Sequence, residues 1–197
     1  AGSNGERIMR KVILFIAMSL DGYIADAKGG VDWLSGESQE EENGQENGDT
    51  YADFVKDIDT ILMGWNTYHQ VVTELSPEEW VYEDFTTYVF THNKQESTEK
   101  IRFTDVSPAR LLKKLRMEEG KDIWICGGAK LVEQLMESDE IDRYHISIIP
   151  TLLGEGIRLF GQFANERKLS LVKAQRSNGI AELVYELFHK LNNKLLK

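Results

Sequence analysis

The chain has 197 residues, of which 23 are basic and 33 acidic, giving a formal net charge of −10. That balance excludes a general nucleic-acid binder, whose affinity rests on neutralising phosphates, and no apolar run is long enough to cross a membrane as a helix. The 41% hydrophobic content suits a globular protein, and a lone cysteine (Cys126) with four scattered histidines (His69, His92, His145, His189) indicates a reducing, cytoplasmic setting without disulfide or metal site.

Residues 1–8 read as a remnant of expression ahead of Met9, residues 9–190 as a single domain, and residues 191–197 as a C-terminal tail. The run Val12 to Ala17 is continuously apolar and predicts a central strand buried on both faces. Asp21-Gly22 ends it, Tyr23-Ile24-Ala25 resumes briefly, and Asp26 to Gly30 is loop chemistry leading to Trp33. An irregular segment carrying a tryptophan directly after a buried strand is a candidate active-site loop. Glu37 to Asp57 holds eight acids against one lysine, which reads as a solvated loop and helix start. Within it, Asp49 to Asp57 predicts a helix with Tyr51, Phe54, Val55 and Ile58 inward.

Thr60 to Gly64 predicts a second buried strand, and Gly64 to Tyr68 turns into a short helix. Thr87 to Thr91 is a third strand ending at His92-Asn93-Lys94, with a short strand at Ile101 to Phe103. Ser107-Pro108 starts a helix as N-cap and first helical residue, and Gly120 is expected just past its end. Asp122 to Cys126 then forms a buried strand that meets Gly127-Gly128, and Ala129 to Glu137 repeats at helical spacing. A strand running through glycines into a helix N-terminus aims unsatisfied N–H groups at one place, which suits phosphate. The same pair also occurs in plain strand-to-helix turns. Ile141 to Pro150 is a further strand, Leu152 to Ile157 a glycine-punctuated loop, and Lys168–Arg176 with Gly179–Lys190 a hairpin about Asn178-Gly179. Strands alternating with helices and closed by a hairpin define an α/β domain.

Four segments together carry a resemblance. Ala17-Met18-Ser19-Leu20-Asp21-Gly22-Tyr23-Ile24, Leu62-Met63-Gly64-Trp65-Asn66-Thr67-Tyr68, Ile125-Cys126-Gly127-Gly128-Ala129-Lys130-Leu131 and Pro150-Thr151-Leu152-Leu153-Gly154-Glu155-Gly156-Ile157 stand in the order of the dihydrofolate reductase-like family. The chain most resembles the branch of the riboflavin-biosynthesis reductase, the C-terminal domain of a bifunctional deaminase-reductase, and its stand-alone relatives. The resemblance implies a three-layer fold about a mixed, mostly parallel sheet with a C-terminal antiparallel hairpin. It also implies NADPH, with NADH as the alternative, lying across the carboxyl ends of the strands.

On that resemblance Ala17 and Ile24 flank the nicotinamide, while Gly64, Trp65, Asn66, Thr67, Thr91, His92 and Lys94 hold the adenosine half. Gly127, Gly128, Ala129, Lys130 and Leu131 take the pyrophosphate, and Trp33 meets the nicotinamide or the substrate; Cys126 and Glu155 are the other candidates to line the substrate. Three departures stand out. Trp65 replaces the arginine with which many relatives clamp a 2′-phosphate, and Cys126 replaces the substrate-contacting glutamate of the riboflavin-pathway enzymes. The helix carboxylate of folate reductases falls near Thr50, between Asp49 and Asp53.

Asp53 is the candidate proton donor. Cys126 reads first as a small buried residue, Asp21 as a shaper of its turn, His145 as a structural histidine, and Glu155 equally as a solvated loop acid. The expected activity is an NAD(P)H-dependent reduction of a C=N or C=O bond in a small heterocyclic or sugar-linked substrate. Its alternatives are the riboflavin-pathway pyrimidine reductase and a non-catalytic nucleotide-binding protein of the same fold. The expected partner is a small molecule, with neither nucleic acid nor membrane, and the hairpin and tail could pair in a homodimer.

Overall fold

β1 (Val12–Ser19) carries the first apolar run into the middle of the sheet, where Val12, Ile13 and Leu14 are buried. The structure is a computed structural model and describes residues 9–37 and 50–188. Residues 1–8, Asp49 and residues 191–197 lie outside the described residues. After β1 come β2 (Tyr23–Ala25), α1 (Thr50–Val55), β3 (Ile58–Gly64), α2 (Trp65–Gln70) and β4 (Thr86–Phe90). The second half adds β5 (Ile101–Thr104), α3 (Pro108–Met117), β6 (Asp122–Gly127), α4 (Ala129–Glu137), β7 (Arg143–Ile149), β8 (Ile157–Arg158), β9 (Leu169–Ser177) and β10 (Ile180–Leu187).

Eight of these strands form one sheet in the order β5-β4-β3-β6-β1-β7-β10-β9, and β2 pairs with β8 in a separate ribbon. The ladders from β5 to β7 are parallel, so their carboxyl ends share one edge. β10 runs antiparallel to both β7 and β9. Asn178 and Gly179 both take positive φ, 51° and 75°, which is the geometry an Asn-Gly hairpin turn requires.

Because strand side chains alternate, each face of the sheet builds its own core. One face, with Val12, Leu14, Leu62, Ile123 and Ile125, packs against Leu111, Leu112 and Leu115 of α3 and Leu131, Val132 and Leu135 of α4. The other carries Ile13, Phe15, Ile61, Met63 and Trp124, covered by Phe54 of α1 and by Trp65, Tyr68, Trp80, Tyr82 and Phe85. Helices on both faces of the sheet give the expected three layers.

One expectation changes in detail. α3 does not run to a glycine cap, since Glu118 is already extended (φ −87°, ψ 150°). Gly120 instead makes room for a buried cation. Arg10, only 6% exposed, donates to Lys121 O (2.7 Å), Leu115 O (3.0 Å), Asp59 Oδ1 (2.7 Å) and Thr60 Oγ1 (2.8 Å). A Cβ on Gly120 would lie 2.8 Å from both Arg10 Cζ and Asp59 Oδ2. In the loop before β8, Gly156 (φ +145°) is held against β2, where a Cβ would meet Ala25 O at 2.1 Å.

Both groups that a side chain at 120 would displace end flexible chains, but the guanidinium is pinned by its four acceptors. Gly120→Ala is therefore expected to destabilise the fold by about 1–3 kcal/mol, the usual cost of overpacking a fitted site. Urea unfolding measures it. An unchanged midpoint would show that the Arg10–Asp59 pair moves aside freely.

Candidate active site

The sheet opens where its middle strand loses a partner. β1 pairs with β6 only from Val12–Ile123 to Leu14–Ile125, but stays paired with β7 as far as Ser19–Ile149. Phe15, Ile16, Ala17 and Met18 are correspondingly half-buried although they lie on a central strand. On the far side of the gap, the β3–β6 register shifts between Leu62 and Met63, so that Met63 faces Gly127 and Cys126 falls at the irregularity. The result is a cleft at the carboxyl edge of the sheet, between the second half of β1 and the Gly127–Gly128 turn.

Gly127 has φ +137°, a conformation side chains rarely adopt, and the Gly127–Gly128 peptide is cis. Gly128 caps α4 without any side-chain hydrogen bond. A Cβ there would meet nothing nearer than Thr67 Oγ1 at 3.6 Å, so the space in front of the turn is open. Gly64, at the end of β3, faces the same spot, 3.9 Å from Gly128 N measured from its own would-be Cβ. The turn thus leaves room for an anion to approach the backbone N–H groups of α4's first turn, at the positive end of its dipole. Lys130 is exposed on that turn, and Thr91, His92 and Lys94 follow the adjacent β4, the last two exposed. Trp65 packs its indole on Tyr68 (5.5 Å), His69 (5.8 Å) and Phe103 (6.3 Å), so the protein itself occupies much of that ring.

The segment after β2 crosses this edge. Gln70 Nε2, at the end of α2, donates to Gly29 O (2.8 Å), and Glu37 N donates to Asn178 O (2.9 Å) in the β9–β10 turn. Trp33 lies between these anchors, half-buried, with its Nε1 donating to Gly30 O at 3.1 Å. Ile24, on β2, packs against the leucine-rich core.

Asp21 does more than shape its turn. Its carboxylate accepts from Ser19 Oγ (2.6 Å), Leu153 N (3.1 Å) and Gly154 N (2.8 Å), tying the end of β1 to the loop before β8. Those bonds, the one from Ser19 foremost, hold its pKa down at about 2. Glu155 sits next to this tie and is exposed.

Under α1, Phe54 stacks on Phe15 (4.1 Å, 7° between planes), and Trp124 meets Phe15, Tyr51 and Phe54 edge-on. Cys126 lies on the same face. Burial pushes its thiol up to about 11, opposed by a hydrogen bond with Tyr82, so it is a neutral packing residue and no nucleophile. Asp53 corrects the expectation of a cleft-facing acid. Its side chain is 73% exposed and pairs with Lys56 at 3.1 Å, because the inward stripe of this short helix is taken by Tyr51 and Phe54.

The acid on this face comes from elsewhere. Glu182 of β10 accepts from Gln175 Nε2 (3.0 Å), which also reaches Thr50 Oγ1 (3.1 Å), and His145 Nε2 stands 3.7 Å away. Sequence reading passed over Glu182, which alternates on its strand face with Val184 and Glu186 and so carries no local mark of its own. Among the described residues no cluster of potential ligands could hold a metal, and no helix is long and apolar enough to cross a membrane.

An α/β sheet of this order, with a glycine-lined cleft outside the carboxyl ends of its parallel strands, has the form in which open α/β sheets bind their ligands. Residues 10–180 match the RibD C-terminal domain, and the chain belongs to that family. Two relatives from Bacillus subtilis (strain 168), the uncharacterized proteins YwjB and YyaP, are 38% and 30% identical to it. Each alignment covers 89% of this chain, with 97% and 94% of the respective relative. A crystal structure from Shewanella sp. PV-4, assigned by its name to riboflavin biosynthesis, superposes with a TM-score of 0.76 at 27% identity, over 90% of this chain and 98% of the other. The fold also matches the Thermotoga maritima diaminohydroxyphosphoribosylaminopyrimidine deaminase/5-amino-6-(5-phosphoribosylamino)uracil reductase (TM-score 0.65, 17% identity). That alignment covers 91% of this chain and 57% of the larger enzyme.

The Asp21 tie sets a pH dependence. Its folded pKa lies below that of an unfolded aspartate, about 3.9, so its stabilisation is complete above that value and is lost as pH falls towards 2. Asp21→Asn should therefore melt earlier than wild type at neutral pH, with the gap closing between about pH 4 and pH 2. Thermal melts across that range test this, and a gap constant with pH would remove the carboxylate's charge from the explanation.

Proposed function

We propose that this protein is an NADPH-dependent reductase that delivers hydride to a C=N or C=O bond of a small heterocyclic or sugar-linked substrate. The observation that carries the reading is the parting of β1 from β6 directly in front of the open Gly127–Gly128 turn. The backbone of Gly127, Gly128, Ala129, Lys130 and Leu131 would take the pyrophosphate. Gly64, Trp65, Asn66, Thr67, Thr91, His92 and Lys94 would hold the adenosine half, while Ala17 and Ile24 would border the nicotinamide. When bound, the dinucleotide supplies the hydride. The chain's own residues orient the reactants, and the segment anchored at Gln70 and Asn178 shields them from water.

The family relationship and the riboflavin-related name of the Shewanella structure keep pyrimidine reduction in view. Cys126 weighs against it. A neutral, half-buried thiol cannot replace a carboxylate as acceptor for the donors of a pyrimidine ring.

NADPH is expected to raise the melting temperature, since a ligand at 100 times its Kd adds about 2.7 kcal/mol. No shift with either NADPH or NADH at millimolar concentration would remove the cofactor from this reading. Gly128→Val should abolish that shift in a folded protein. The space before Gly128 accepts a Cβ without displacing backbone, so the added side chain fills the anion's place and not the core. Circular dichroism and nucleotide titration of the same sample check this, and undiminished affinity would put the pyrophosphate elsewhere.

A further inference from the structure

The gap between β1 and β6 opens towards the aromatic face of the sheet. On the aliphatic side Ile16 closes it, since a Cβ on Gly127 would lie 3.4 Å from Ile16 Cδ1. On the aromatic side the rim is made of small residues. Ala17 lies on β1, and Cys126 is the first residue of β6 beyond its last pairing with β1. Side chains alternate along a strand, which puts these two on the face of Phe15 and Trp124. Both are half-buried.

Two tyrosines stand over this side of the gap. Tyr51 of α1 meets Trp124 at 5.9 Å and is 41% exposed. Tyr82, in the loop before β4, is half-buried and stands edge-on to Trp124 (5.6 Å, 86°) and to Trp80 (5.3 Å, 76°). Trp124 is itself fixed, for its Nε1 donates at 3.0 Å to Phe15 O, one residue past the last β1–β6 pair. The ring of Tyr82 is thus clamped between two indoles, with its hydroxyl beside the thiol of Cys126 and close to Tyr51.

We propose that Tyr82 is the substrate's hydrogen-bond donor in this cleft, giving its O–H to the carbonyl oxygen of a flat conjugated ketone that rests between Ala17 and Tyr51. The inference rests on the reductase reading above and deepens it by naming the substrate class, with C=O in place of C=N and a neutral edge in place of a charged one.

Three features favour a ligand donor over a packing ring. The neighbour of the hydroxyl is a thiol, a weak acceptor, so a carbonyl oxygen takes this donor with a gain. Burial first, then Cys126 and Tyr51, pushes the Tyr82 phenol well above its usual range, and Cys126 is itself pushed up to about 11. At neutral pH the rim therefore offers O–H and S–H donors, and an iminium or amidine edge would set N–H donors against them. The charges nearby are engaged elsewhere. Asp53 pairs with Lys56 in solvent, and Glu182, held by Gln175 beside His145, lies two strands outward from β1.

The test uses the whole chain with NADP+ in place of NADPH, so that no ketone is consumed. Its two probes share one flat frame, 1-indanone and 1-methyleneindane, in which =CH2 replaces =O. Wild type is expected to bind the ketone about tenfold more tightly by calorimetric titration, since the hydrocarbon leaves the hydroxyl unpaired. Tyr82→Phe keeps the ring between Trp80 and Trp124 and should erase or invert that preference, with NADP+ affinity unaltered. In infrared spectra the bound ketone's carbonyl stretch should fall in wild type and recover in Tyr82→Phe. A purely structural ring would weaken both probes alike in Tyr82→Phe and leave their ratio and the stretch unchanged, and that result overturns the proposal. So does a wild type that binds NADP+ but does not distinguish the probes or takes neither. Failure of wild type to bind the dinucleotide would instead strike the reductase reading. A ketone preference that persists without it and is lost in Tyr82→Phe would still support the donor, and its absence would overturn both.

Discussion

β1 occupies the middle of the sheet and is bonded to β6 for three residues but to β7 for seven. A central strand stripped of one ladder would ordinarily leave buried N–H and C=O groups without partners, at a cost of about 1–3 kcal/mol each. Here the opening is displaced to the carboxyl edge, where a cleft admits water or a ligand to the same groups. Gly127, with its positive φ, turns β6 away at that level. The two glycine turns, the crossing segment and the aromatic wall are all arranged about this gap.

The acidic character of the chain does not conflict with an anionic ligand. Net charge acts over a Debye length, about 8 Å at physiological salt, while the N–H groups of a helix's first turn act at contact. Three of the acids are held by partners of their own. Asp59 holds Arg10, Asp53 holds Lys56 and Asp21 holds two loop N–H groups. None of these three belongs to the Gly127–Gly128 turn.

The two faces of the sheet divide the work. The face under α3 and α4 is packed with leucine, isoleucine and valine, which fit tightly and carry no polar atoms. The opposite face is aromatic, with polar groups admitted at Glu182, Gln175, Thr50 and His145. Flat rings beside a few fixed acceptors make a surface suited to a planar ligand, and a close-packed aliphatic face does not.

Much of this was legible in the sequence because it is written in local patterns. Val12 to Ala17 had to be a buried strand, Asn178-Gly179 a hairpin turn, and Ser107-Pro108 a helix start, since each depends on residues within a few positions. The Gly127-Gly128 unit was legible for the same reason, as strand, turn and helix are contiguous. What escaped was decided by strand register and helix rotation, which bring together residues far apart in the chain. Gly120 looked like a helix cap until Arg10 and Asp59 were placed against it. Asp53 stood as the candidate proton donor until the rotation of α1 set its side chain in solvent beside Lys56. Glu182 has no neighbour in sequence that marks it, and only the pairing of β1, β7, β10 and β9 sets it in line with Ala17, Ser147 and Gln175. Local chemistry determined the elements and the glycine turn, whereas the setting of Glu182 beside Gln175 and His145 belonged to long-range pairing, because a one-residue slip in register would send that carboxylate to the other side of the sheet.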